Sequence, residues 1–149
     1  MNMTLSDLTH RSGLSVFDYL DQSTSIPVID GMQAQGDLLV IPYHLVAGDV
    51  RSVNHTQRVD VPLSGVELLR SAAGGNPHTL VADGGRCRWS SPVRDEALLA
   101  LGILENDVVA YLIHPEHGAT GIAPGRYVIR RQRERGTGGL FGQVHFIAD

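Results

Sequence analysis

The stretch LIHPEHGA at 112–119 sets His114 and His117 three residues apart, with Glu116 between them. Neutral imidazole nitrogens bind zinc, iron, nickel or copper, and a carboxylate can add an oxygen ligand or serve as a general base. His78 opens another apolar run, HTLVAD, and supplies a third imidazole. His78, His114 and His117 are therefore candidate ligands for a divalent metal, with Glu116 or Glu134 as the candidate base. The pair also suits a plainer role, as a solvated turn or an imidazole bonded to backbone. In either role the side chains are expected at the rim of the domain, where truncation costs little stability. His10, His44, His55 and His145 have no partner at an informative spacing.

A second group of reactive side chains is basic. All 12 basic residues are arginine, and five of them, Arg126, Arg130, Arg131, Arg133 and Arg135, fall within ten residues. Strand alternation places Tyr127, Ile129, Arg131 and Arg133 on one face, and Val128, Arg130, Gln132 and Glu134 on the other. Guanidinium groups grip phosphate or carboxylate bidentately. Arg131, Gln132, Arg133 and Glu134 are thus candidate ligand-binding residues, the alternative being a solvated strand end paired with aspartates. A net charge of -4 and 5% aromatics argue against nucleic acid, because single-strand binding relies on base stacking. Cys87 is the sole cysteine, so no internal disulfide forms, and it reads as an ordinary half-buried thiol.

The elements that must hold these residues are mostly strands. The runs at 36–42, 57–62, 78–83, 86–90, 107–114, 126–134 and 140–148 are apolar or alternating, and most of the 17 glycines and 7 prolines sit between them. Gly84-Gly85 predicts a hairpin between 78–83 and 86–90, and RGTGG predicts another between 126–134 and 140–148. Segments 64–72 and 94–104 are open between helix and strand, the first because Ser64 and Glu67 form a capping-box pattern. Residues 1–33 read as an N-terminal extension, with Ser6 or Thr4 as a helix cap and helical spacing over 15–21. Residues 34–149 read as the β-domain. The expected fold is mostly β, a small sandwich or open barrel with a short helical N-terminal extension. No apolar run approaches 18 residues, and the first 15 residues lack an apolar signal core, so the expected location is cytoplasmic.

From Gln35 to Asp149 the chain resembles a family of small uncharacterised bacterial proteins. That family carries a QGD…GHAH…HEEH…PPGxYxVxxQREY…VAD pattern, and this chain reads QGDLLVIP at 35–42, GNPH at 75–78, IHPEH at 113–117, APGRYVIRRQRER at 123–135 and FIAD at 146–149. The resemblance groups His78, His114, His117, Gln132, Arg133 and Glu134 in one site, and it disfavours a helix at 64–72. Asn76 replaces the first central histidine and Arg135 the final tyrosine, which leaves at most a three-histidine site.

Three functional expectations follow. The first is a non-enzymatic binding or accessory protein of a bacterial system, whose His/Arg rim takes an anion or a partner protein, with a protein partner or homo-oligomer implied. The second is a cupin-like metal-dependent enzyme using His78, His114 and His117. The third, weaker, is a single-stranded nucleic-acid binder.

Overall fold

The computed structural model describes residues 2–69, 76–135 and 144–146. Among the described residues it is a mostly-β, sandwich-like fold of two main sheets and a separate two-stranded pair, with one short N-terminal α-helix and no closed barrel. The helix α1 (Leu5–Ser12) is N-capped by Thr4. Thr4 and Asp7 form a reciprocal capping box, and Gly13 ends the helix in a left-handed conformation. Residues 15–21, expected to be helical, form a turn instead. Ser15 and Asp18 repeat the Thr4–Asp7 spacing, but the Phe17 N–H donates to the Pro115 carbonyl at 2.9 Å, which holds this stretch against the β9–β10 turn rather than in a helix.

The strands are β1 (Val28–Ile29), β2 (Gln33–Gln35), β3 (Leu38–Pro42), β4 (Val50–Asp60), β5 (Val66–Leu69), β6 (His78–Ala82), β7 (Cys87–Asp95), β8 (Ala100–Asn106), β9 (Ala110–His114), β10 (Gly118–Ile122), β11 (Gly125–Arg131), β12 (Arg133–Arg135) and β13 (Val144–Phe146). One sheet runs β1-β10-β9-β6-β5 and the other β2-β3-β11-β8-β7-β4, while β12 and β13 form a separate pair. The segment 66–69 is therefore a strand, as is 100–106. The turn at 96–98 replaces the helix that 94–104 also allowed.

Gly84 and Gly85 do not close a hairpin. β6 pairs with β5 and β9, whereas β7 pairs with β4 and β8, so the glycine turn carries the chain from one sheet to the other. The burial of β6 is the reason: all five of its residues are buried, so each face needs cover, and a two-stranded ribbon would leave one face in water. The arginine strand likewise pairs with β3 and β8. Among the described residues the C-terminal antiparallel pairing sets Arg133–Arg135 against Val144–Phe146, and residues 136–143 and 147–149 lie outside them.

Three apolar clusters hold the layers. Leu38, Val40, Leu80, Trp89, Leu104, Leu112, Tyr127 and Ile129 fill the space between the sheets. On the outer face of the five-stranded sheet, Val81, Tyr111 and Ile113 pack under Leu5, Leu8 and Ile26 of the N-terminal segment. Val50, Ile103 and Val128 form the third cluster with Tyr43, Val46 and Val93. The alternation expected along β11 thus separates Tyr127 and Ile129, which face the sandwich core, from Val128.

Candidate functional site

Two strands and a turn bring the histidines together. In the antiparallel β6–β9 pair Thr79 lies opposite Ile113, so the next position outward sets His78 beside His114. His117 sits in the tight turn Pro115–His117 that joins β9 to β10. The ring centroids are 4.4 Å apart for His78 and His114, 4.5 Å for His114 and His117, and 6.3 Å for His78 and His117. The three rings form a nearly right-angled triangle with His114 at the corner.

Burial differs sharply across the triangle. His78 is 1% exposed and His114 0%, whereas His117 is exposed. The rim position expected for His114 is thus corrected. His114 ends a central strand that is covered on both faces, so its ring lies inside.

The hydrogen bonds assign the tautomer of His114. The Glu116 backbone N–H donates to Nδ1 at 3.0 Å, so the ring proton is on Nε2, which donates to the Asn76 carbonyl at 3.1 Å. His78 meets acceptors on both sides. Nδ1 lies 2.9 Å from Gln35 Oε1, and Nε2 lies 2.8 Å from Asp37 Oδ1. The Gln35 amide is oriented by its own Nε2, which donates to the Leu112 carbonyl at 2.8 Å. Its Oε1 therefore faces His78, and Nδ1 is the donor there. The Nε2–Oδ1 contact then requires one proton between ring and carboxyl, held on either group.

Gln35 and Asp37 come from the opposite sheet. Gln33, Gln35 and Asp37 are buried, with Ala34 exposed between the glutamines. Gln33 also crosses the gap, donating to the Gly121 carbonyl at 3.1 Å. These amides tie β2 to β9 and β10 through polar bonds at one end of the sandwich. The sequence reading missed all three. The available signal was period-2 polar spacing at 33, 35 and 37 running directly into an apolar strand, which puts polar groups on a buried face.

The candidate arginine residues divide. The Gln132 backbone N–H donates to the Asp37 carbonyl at 2.8 Å, and Arg131 lies opposite Leu38, so the end of β11 borders Asp37. Arg131 and Gln132 are half-buried. Arg133 and Glu134 lie in β12, and their side chains fall outside the described residues. Arg130 is a structural residue. Its guanidinium pairs bidentately with Asp95 at 3.0 and 2.9 Å, on side chains 14% and 2% exposed. Burial alone raises the Asp95 pKa, but the backbone amides of Ala97 and Leu99 and the Arg130 guanidinium outweigh it and hold the carboxyl below its ordinary value. Glu116 is half-buried, 3.5 Å from the Asn76 side-chain nitrogen. Cys87 is buried, not half-buried, and desolvation pushes its thiol up to about 11.

Among the described residues, no group of three His, Cys, Asp or Glu is arranged to hold a metal ion. The bonding accounts for this: the ring nitrogens of His78 and His114 already face Gln35, Asp37, Asn76 and the Glu116 amide. What the arrangement offers is a stiff, internally bonded polar end with one imidazole outermost.

A family model described as a domain of unknown function (DUF8820) matches residues 34–132. No curated protein and no solved structure matches the chain.

Proposed function

The chain belongs to the DUF8820 domain family, and we propose that it is a non-enzymatic binding or accessory protein that recognises an anionic group of a ligand or partner at its histidine–arginine end. The carrying observation is the exposed His117 ring packed on the buried His114, together with a half-buried Arg131 at the strand end that borders Asp37, the carboxyl partner of His78. Bonds within the protein fix His78 and His114, so their rings support a surface and need no ligand to be satisfied. A pre-ordered donor surface loses little entropy on binding, which favours recognition of a carboxylate or phosphate. In this reading the protein works in a bacterial cytoplasm, with a protein partner or a second copy of itself.

An NMR titration with inorganic phosphate tests the proposal. Saturable shifts at the His117 and Arg131 amides are expected, weakened at least about tenfold in His117→Ala and Arg131→Ala. Absence of saturable shifts, or wild-type affinity in both variants, would overturn it.

The second reading, a metal-dependent enzyme with His78, His114 and His117 as ligands, is supported by the closeness of the three rings. It requires the side chains to give up the bonds described above. Metal analysis of tag-free protein tests it: a stoichiometric divalent metal lost in His114→Ala supports this reading, and metal-free protein removes it.

A further inference from the structure

A groove of about 220 Å³ opens between the N-terminal segment and the β9–β10 turn. His117 lies on its rim, so the inference rests on the recognition reading above and names its ligand. Leu5, Leu20 and Ile26 line the groove, as do Asp21, His117 and Ala119. Leu5 and Ile26 are buried and Leu20 half-buried, giving an apolar floor, while Asp21 and His117 are exposed.

The backbone supplies a further pair of groups. The Gly121 N–H donates to the Pro27 carbonyl and the Ala123 N–H to the Ile29 carbonyl, so these residues of the β10 segment turn their amides toward β1. Strand alternation turns the Ala119 N–H and C=O to the same side. Continuing the parallel ladder would place Pro27 opposite the Ala119 carbonyl, and proline has no N–H to give. Pairing with β10 begins only at Gly121. Proline at this point thus parts the two chains and leaves the Ala119 N–H and C=O on the groove side of β10.

The groove therefore combines an anion, a donor, an acceptor and an apolar floor. Asp21 is exposed and supplies the anion, and the Ser23 hydroxyl and amide both donate to its Oδ1 and hold its carboxyl below the ordinary value. From this we infer that the groove binds an apolar α-amino acid. Its carboxylate meets the Ala119 N–H and the His117 imidazole, its α-ammonium meets the Asp21 carboxylate and the Ala119 carbonyl, and its side chain rests on Leu5, Leu20 and Ile26. The volume suits an aliphatic residue of leucine size. A long peptide needs a longer exposed edge than the one residue offered here.

Titrating the full chain with L-leucine while following backbone amides by NMR tests the assignment. Saturable shifts at Gly118 and Ala119 are expected, with a dissociation constant below about 1 mM. 4-Methylpentanoate, which lacks the ammonium, and leucinamide, which lacks the carboxylate, are each expected to bind at least about tenfold more weakly. So is Gly-Leu, in which the ammonium has become an amide. Asp21→Asn should weaken leucine by a similar factor and leave phosphate shifts at Arg131 unchanged. The amino-acid assignment is overturned if leucine leaves Gly118 and Ala119 unmoved, or if 4-methylpentanoate, leucinamide or Gly-Leu binds as tightly as leucine. If leucine binds while phosphate produces no saturable shift, the amino-acid site stands and the broader anion reading falls.

Discussion

At the scale of single residues, the polar end of the sandwich is sensitive because its groups satisfy one another out of water. Asp37→Ala would take from His78 Nε2, on a ring 1% exposed, its carboxyl partner. Removing one member of a buried pair costs about 3 kcal/mol or more. His114→Ala would orphan the Glu116 amide and the Asn76 carbonyl and open a cavity, costing about 2–4 kcal/mol. His117→Ala, on an exposed ring, should fall within about 0.5 kcal/mol of wild type. Urea denaturation of the three variants checks this ordering, and an Asp37→Ala midpoint equal to that of His117→Ala would refute it. The histidines were visible in the sequence because imidazoles are few and two of them bracket a strand exit. Their partners were not, because Gln35 and Asp37 precede His78 by 43 and 41 residues and meet it only across the gap between sheets. Sequence spacing reports neighbours along a strand and says nothing of which layer lies opposite. The same lack of layer information put His114 at the rim.

At the scale of elements, strand content was legible from apolar runs and their punctuation, whereas pairing was not. Gly84-Gly85 has the chemistry of a hairpin turn, yet it links two sheets, because cover for both faces of β6 is decided by tertiary packing. Its two glycines carry different loads. Gly84 has φ +80° and nothing within 4 Å of a built Cβ, while at Gly85, with φ +77°, that Cβ would stand 2.4 Å from Val108 Cγ1. Gly84→Ala should cost about 1–2 kcal/mol, the left-handed penalty alone. Gly85→Ala should cost about 1–3 kcal/mol more, since Val108 must also move. Equal melting temperatures for the two variants would contradict the steric difference. The turn at 95–99 makes a separate prediction. Asp95 has its pKa lowered from 3.8, so its contribution is fully present above pH 3.8 and disappears as pH falls through the lower folded-state value. Asp95→Asn should therefore be less stable than wild type at pH 6, with the gap narrowing on descent below about pH 4. A gap that stays constant from pH 6 to pH 2.5 in urea-midpoint measurements would remove Asp95 from the acid limb.

At the scale of the whole molecule, the N-terminal segment is a second layer on the five-stranded sheet. Leu5, Leu8 and Ile26 are 6%, 0% and 7% exposed, and they cover Val81, Tyr111 and Ile113. An ion pair between Arg11 and Asp83 pins the end of α1 to the turn after β6. The core between the sheets uses none of these N-terminal side chains. Deleting residues 1–26 should consequently leave the sandwich folded, while baring an apolar face of about the few-hundred-Å² size that monomeric proteins seldom expose. Concentration-dependent association by light scattering is the expected result, together with a lower melting temperature and retained β-sheet circular dichroism. Leucine binding should vanish, since Leu5, Leu20, Asp21 and Ile26 all leave with the segment, while β2 with Gln35 and Asp37 remains to hold His78. A truncated protein with unchanged elution volume and melting temperature would show that the segment contributes nothing to the sheet beneath it. Loss of the β signal would show instead that the inner core cannot stand without its cover.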